Sequence, residues 1–144
     1  MTKGDRQTLT ASLATASLSP LRVDLDNPQQ VERARASFDL PPAAADQLIA
    51  NARQGNVRIA WITLRDFLDE DGDVAEITTG GLTRTVLLTN APQMIAVPIV
   101  PGDFLRVTGM HDGSGGGVTV SVAAGGAEIK IPLDVGQTVT LPVR

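Results

Sequence analysis

The sequence predicts a mainly β protein: an antiparallel β-sandwich of about eight strands, preceded by two short helices. Three observations lead there. From Asn56 onward the apolar residues recur at every second position, the period of a strand. The apolar runs are separated by turn-forming segments at intervals of about 8–12 residues, the spacing of an all-β domain. A chain of 144 residues with 42% apolar content is also enough for one core and too short for two large ones.

Residues 1–55 read as an N-terminal arm followed by two helices. The arm is rich in Ser, Thr and Ala, and its Leu9, Leu13 and Leu18 fit either an extended segment or a poor helix. A helix then starts at Asn27 as N-cap, with Pro28 in the first helical position and Gln30 placed to reach back as in a capping box. It should run to about Phe38, with Val31, Ala34, Arg35 and Phe38 on one side. A second helix starts near Pro42, turns Ala45, Leu48, Ile49 and Ala52 inward, and stops at Gly55.

Residues 56–144 carry the sandwich. The runs at 118–122, 127–133 and 138–143 alternate strictly, with Val118, Val120 and Val122, Ile129, Ile131 and Leu133, and Val139, Leu141 and Val143 on their inner faces. The runs at 57–64, 82–89 and 94–100 are apolar on both faces. Pro98, Pro132 and Pro142 belong on edge strands or bulges, because a central strand cannot lose a ladder donor. Trp61, in the middle of a run, reads as a core anchor. The sandwich expected is of the immunoglobulin, C2 or jelly-roll kind.

If successive strands run antiparallel, alternate connections emerge at the same end. One end then gathers Asp66, Asp69, Glu70, Asp71, Asp73, Asn90, His111, Asp112 and Asp134, while the other has Asp103 as its only acid. Clustered carboxylates repel one another unless solvated or neutralised by a cation, and hard oxygen ligands at close spacing suit calcium. Asp66, Asp69, Asp71, Asp73 and Asp112 are the candidate ligands. The stretch 69–73 resembles the opening of an EF-hand or dockerin calcium loop. It departs from that pattern at Val74, where glycine makes the turn, and at Gly80, where glutamate chelates. A closer likeness is to C2-like sandwiches, which gather aspartates from separate loops at one end. The simplest alternative is a solvated Asp-Gly turn.

Other chemistry is largely excluded. The chain has no cysteine, so it has neither disulfides nor thiolate sites, and its single histidine rules out multi-histidine zinc. The net charge is −4, and the whole acidic excess falls after Gly55, so no basic stripe exists for nucleic acid. His111 to Gly117 lacks the following helix and the lysine of a phosphate loop, and reads as a long flexible hairpin loop with an exposed histidine. A carboxylate hydrolase using Asp66, Asp71 and Asp112 would need aromatic rings to stack a sugar, and aromatics make up only 3% of the chain. No catalytic residue is assigned and no enzyme activity is expected.

The functions left are, in order, a non-catalytic protein-interaction or self-assembling structural module, forming homo-oligomers through sheet edges or the N-terminal arm, a calcium-dependent binding domain, and last a small carboxylate-based hydrolase. The start of the chain lacks the pattern of a secretory signal, and no run reaches the length of a membrane span. The expected location is the cytoplasm, or outside the cell by a route without a cleavable leader.

Overall fold

The computed structural model describes residues 18–100 and 102–143. Leu9 and Leu13 of the arm lie outside them. Among the described residues two helices, α1 (Pro28–Ser37) and α2 (Pro42–Arg53), precede eight strands. These are β1 (Arg58–Arg65), β2 (Val74–Thr79), β3 (Leu82–Leu87), β4 (Gln93–Ile99), β5 (Phe104–His111), β6 (Val118–Ala124), β7 (Ala127–Leu133) and β8 (Thr138–Pro142). One sheet has the order β4-β1-β6-β7 and the other β3-β2-β5-β8. Every strand pairing is antiparallel. The sandwich expected from period and turns is therefore the fold observed.

Both helices start where local chemistry directs. The Asn27 side chain accepts the N–H groups of Gln29 and Gln30, and Pro28 supplies a fixed φ where no donor is needed. Gln30 reaches back past the N-cap to accept the Asp24 N–H, at 3.0 Å. The second helix ends at Gly55, which has a φ of +80° that other residues rarely adopt. Arg35 of α1 and Asp46 of α2 form an ion pair between the helices.

The four edge strands are β4, β7, β3 and β8, and the three strand prolines lie on three of them: Pro98 on β4, Pro132 on β7 and Pro142 on β8. None removes a donor from a central strand. The edge of β4 is also covered. The Ser37 hydroxyl at the end of α1 accepts the Ala96 N–H at 2.9 Å and donates to the Ala34 carbonyl. An edge N–H that would otherwise invite another strand is thus satisfied by the chain's own helix.

Residues 18–23 tie the two sheets together. Leu18 donates its N–H to the carbonyl of Pro142, the last residue of β8, and further on Val23 and Leu21 pair with Ile59 and Trp61 of β1. This half of β1 is open to them because β6 pairs with β1 only from Thr63 to Arg65. At the β6–β7 turn a Cβ on Gly125 would stand 1.9 Å from the Ser19 carbonyl oxygen, so glycine there lets the segment pass.

The core is a single cluster from Leu18 to Val143. It includes Phe38 of α1, Ile49 of α2, Ile62 and Leu64 of β1, Leu105 of β5 and Leu141 of β8. Trp61 departs from the expectation of a core anchor. It lies on the outer face of its sheet, opposite Ala96, and is only half-buried. Ala60, Ile62 and Leu64 take the inner positions instead, because the strand period fixes which face each residue meets. No helix among the described residues is long and apolar enough to cross a membrane.

Candidate metal centre

Eight strands that alternate in direction place the connections 66–73, 88–92, 112–117 and 134–137 at one end of the sandwich. The connections are joined by backbone bonds. Asp66 donates its N–H to the Thr89 carbonyl at 2.8 Å, and Leu88 donates to the Asp73 carbonyl at 2.9 Å. The Glu70 carboxylate accepts the Asn90 N–H at 2.8 Å. The Asn90 amide, oriented to donate, reaches the carbonyls of Asp66 and Leu68. Asp134 closes the β7–β8 connection at the same end.

Three of the five candidate ligands converge. Asp66, Asp71 and Asp73 each offer an oxygen, and these oxygens lie within 4.8 Å of one another. Asp66 and Asp73 are buried, at 1% and 0% exposure, and Asp71 is half-buried. Buried carboxylates normally have their oxygens satisfied. Asp73 follows that rule, accepting the Gly113 N–H on Oδ1 and the Thr119 N–H on Oδ2, both at 3.0 Å. Asp66 satisfies Oδ1 alone, through the Leu68 N–H at 3.0 Å and the Thr119 hydroxyl at 2.6 Å. Asp66 Oδ2 and Asp71 Oδ1 are buried with no hydrogen-bond partner.

Asp69 and Asp112 do not join them. Asp69 is exposed on the outer part of the loop. Asp112 organises its own loop, accepting the N–H groups of Ser114 and Gly115 on one oxygen and that of Gly117 on the other. The glycine-rich stretch is therefore not a hairpin loop. It crosses from β5 in one sheet to β6 in the other, wraps around Asp112, and rests on the 66–73 connection. The Ser114 hydroxyl donates to Asp71 Oδ2 at 2.5 Å. A Cβ on Gly113 would lie 1.6 Å from the Asp71 carbonyl oxygen, so only glycine allows this approach. His111, exposed at the end of β5, has no place in the triad.

The electrostatics follow from this geometry. Burial is the main cause that raises the Asp73 carboxyl above its ordinary range, opposed by the N–H groups of Gly113 and Thr119 and aided by the neighbouring Asp71 carboxylate. Asp112 is held below its ordinary range, chiefly by the Gly117 N–H, with Ser114, Gly115 and the charge of His111 adding to it. The triad is thus short of positive charge, whereas Asp112 is already satisfied.

Thr119 is the residue that sequence reasoning missed. It appears within an alternating strand as an outward-facing polar residue, yet it is buried and its hydroxyl and N–H bind two of the three aspartates. Its only sequence signal is its place at the start of a strand that enters from the acidic end. No protein-family model, curated protein or solved structure matches the chain.

Proposed function

We propose that the protein is a non-catalytic binding module whose acidic end holds a calcium ion between Asp66, Asp71 and Asp73. One observation carries the reading: Asp66 is 99% buried within a carboxylate triad, and its Oδ2 has no partner. An unpaired buried carboxylate oxygen is costly, and a cation offsets that cost directly. The donors are all hard oxygens, and oxygens within 4.8 Å of one another can reach one ion at calcium–oxygen distances of about 2.3–2.6 Å. Calcium takes six to eight oxygens, so water or a partner's carboxylate completes the shell. A site finished by a partner makes partner binding calcium-dependent.

The test is thermal unfolding of chelated protein with and without calcium. Saturating calcium should raise Tm by several degrees, since a ligand at about 100 times its Kd adds about 2.7 kcal/mol. Asp66→Asn should abolish that rise. It should also raise the Tm of the calcium-free protein, because the amide replaces an unpaired charged oxygen with a donor facing two carboxylates; the gain should be about 1–3 kcal/mol. No calcium shift in the wild type removes the proposal. A merely solvated Asp-Gly turn would leave Asp66→Asn neutral or destabilising.

A further inference from the structure

A second surface lies on the flank of the sandwich, away from the triad. The outer face of the β4-β1 pair and the neighbouring α1 leave a groove of about 600 Å³. Its apolar floor is Trp61, Leu21 and Met94, of which Leu21 is 70% and Met94 58% exposed. Arg22 and Arg33 stand on its rim with Gln30. Both arginines are exposed, and neither takes part in an ion pair among the described residues. An apolar floor between two unpaired cations fits an apolar side chain flanked by carboxylates.

The chain carries such a segment at its acidic end. Leu68 is 60% exposed and is followed by exposed Asp69 and Glu70. We infer that the groove receives the 67–70 loop of a second copy of this chain, with Leu68 over Trp61 and Met94 and with Asp69 and Glu70 facing Arg22 and Arg33. Charge complementarity selects this occupant. The N-terminal arm is the competing segment, and it carries Lys3 and Arg6 against Asp5, a balance that the arginine rim repels.

The two surfaces are different patches of one molecule, so the contact is heterologous: each copy offers a loop to the next and a groove to the one before. Such contacts build rings or open chains instead of closed two-fold dimers. One loop in one groove covers less than the roughly 800 Å² per partner of a standard interface, so the association is weak and depends on concentration. Leu68, Asp69 and Glu70 lie outside the aspartate triad, and the inference does not rest on the calcium reading.

Sedimentation velocity of the full chain in chelator, from micromolar to millimolar protein, tests it. The wild type should grow beyond a dimer with concentration. Arg22→Glu with Arg33→Glu, or Asp69→Lys with Glu70→Lys, should each weaken association by about tenfold or more. An equimolar mixture of the two double variants should recover it, because each groove then meets a loop of opposite charge. All four residues are exposed, and Glu70→Lys gives up the bond from the Asn90 N–H, so circular dichroism checks the fold of each double variant and the recovery itself demonstrates it. A wild type that stays monomeric throughout overturns the inference. So does association that neither double variant weakens, or a mixture that stays dissociated. Asp66→Asn should leave the assembly unchanged even where it abolishes calcium binding, which separates failure here from failure of the calcium reading.

Discussion

Asp73 and Asp112 lie at the same end of the molecule, yet their surroundings push them in opposite directions. Asp73 is raised by burial and by Asp71, so the folded state holds its proton more tightly than the unfolded chain. Its contribution to stability is complete below the ordinary carboxyl value of about 3.9 and is lost as pH rises through the higher folded value. Asp112 is lowered, so its contribution is present above about 3.9 and is lost as pH falls through the lower folded value. Calcium-free protein should therefore gain thermal stability on acidification from neutral pH through the Asp73 window, and lose it further down as Asp112 becomes protonated. A Tm measured against pH in chelator checks the order of the two effects; steady loss from neutral downward contradicts it. Calcium held at the proposed site would compete with the Asp73 proton, so its stabilising effect should shrink over the upper window.

At the scale of elements, the two loops that build the triad depend on each other. The 112–117 connection delivers the Gly113 N–H to Asp73 and the Ser114 hydroxyl to Asp71, and it can do so only while residue 113 has no side chain. Gly113→Ala should push the connection off the Asp71 backbone, release both bonds, and cost about 1–3 kcal/mol, read as a lower Tm in chelator. It should also weaken calcium binding although no ligand is changed, which calorimetric titration measures. The glycines of this stretch were legible in the sequence as turn formers. Their purpose was not, because close approach of two backbones is a property of the folded pair of loops.

Over the whole molecule, the helices and the sandwich share one core from Leu18 to Val143, and residues 18–23 join one sheet to the other. Unfolding should therefore be cooperative across the change of period near Gly55. Trp61, the one tryptophan, reports on β1 by fluorescence, and far-UV circular dichroism at helical wavelengths reports on α1 and α2. Their denaturation midpoints should coincide; a helical transition separate from that of Trp61 contradicts a shared core. The sequence by itself determined the class of fold, the helix starts at Asn27 and Pro42, the edge positions of three prolines, and the end of the sandwich at which the acids collect. These follow from local chemistry and from the alternation of strand direction, and both are written in consecutive residues. Only the tertiary structure decided that Asp66, Asp71 and Asp73 converge while Asp69 and Asp112 do not, that Thr119 braces them, and that Trp61 floors an open groove. Burial and hydrogen-bond supply at those positions depend on which loops and faces meet, and contacts between residues 40 or more positions apart leave no periodic trace in the chain.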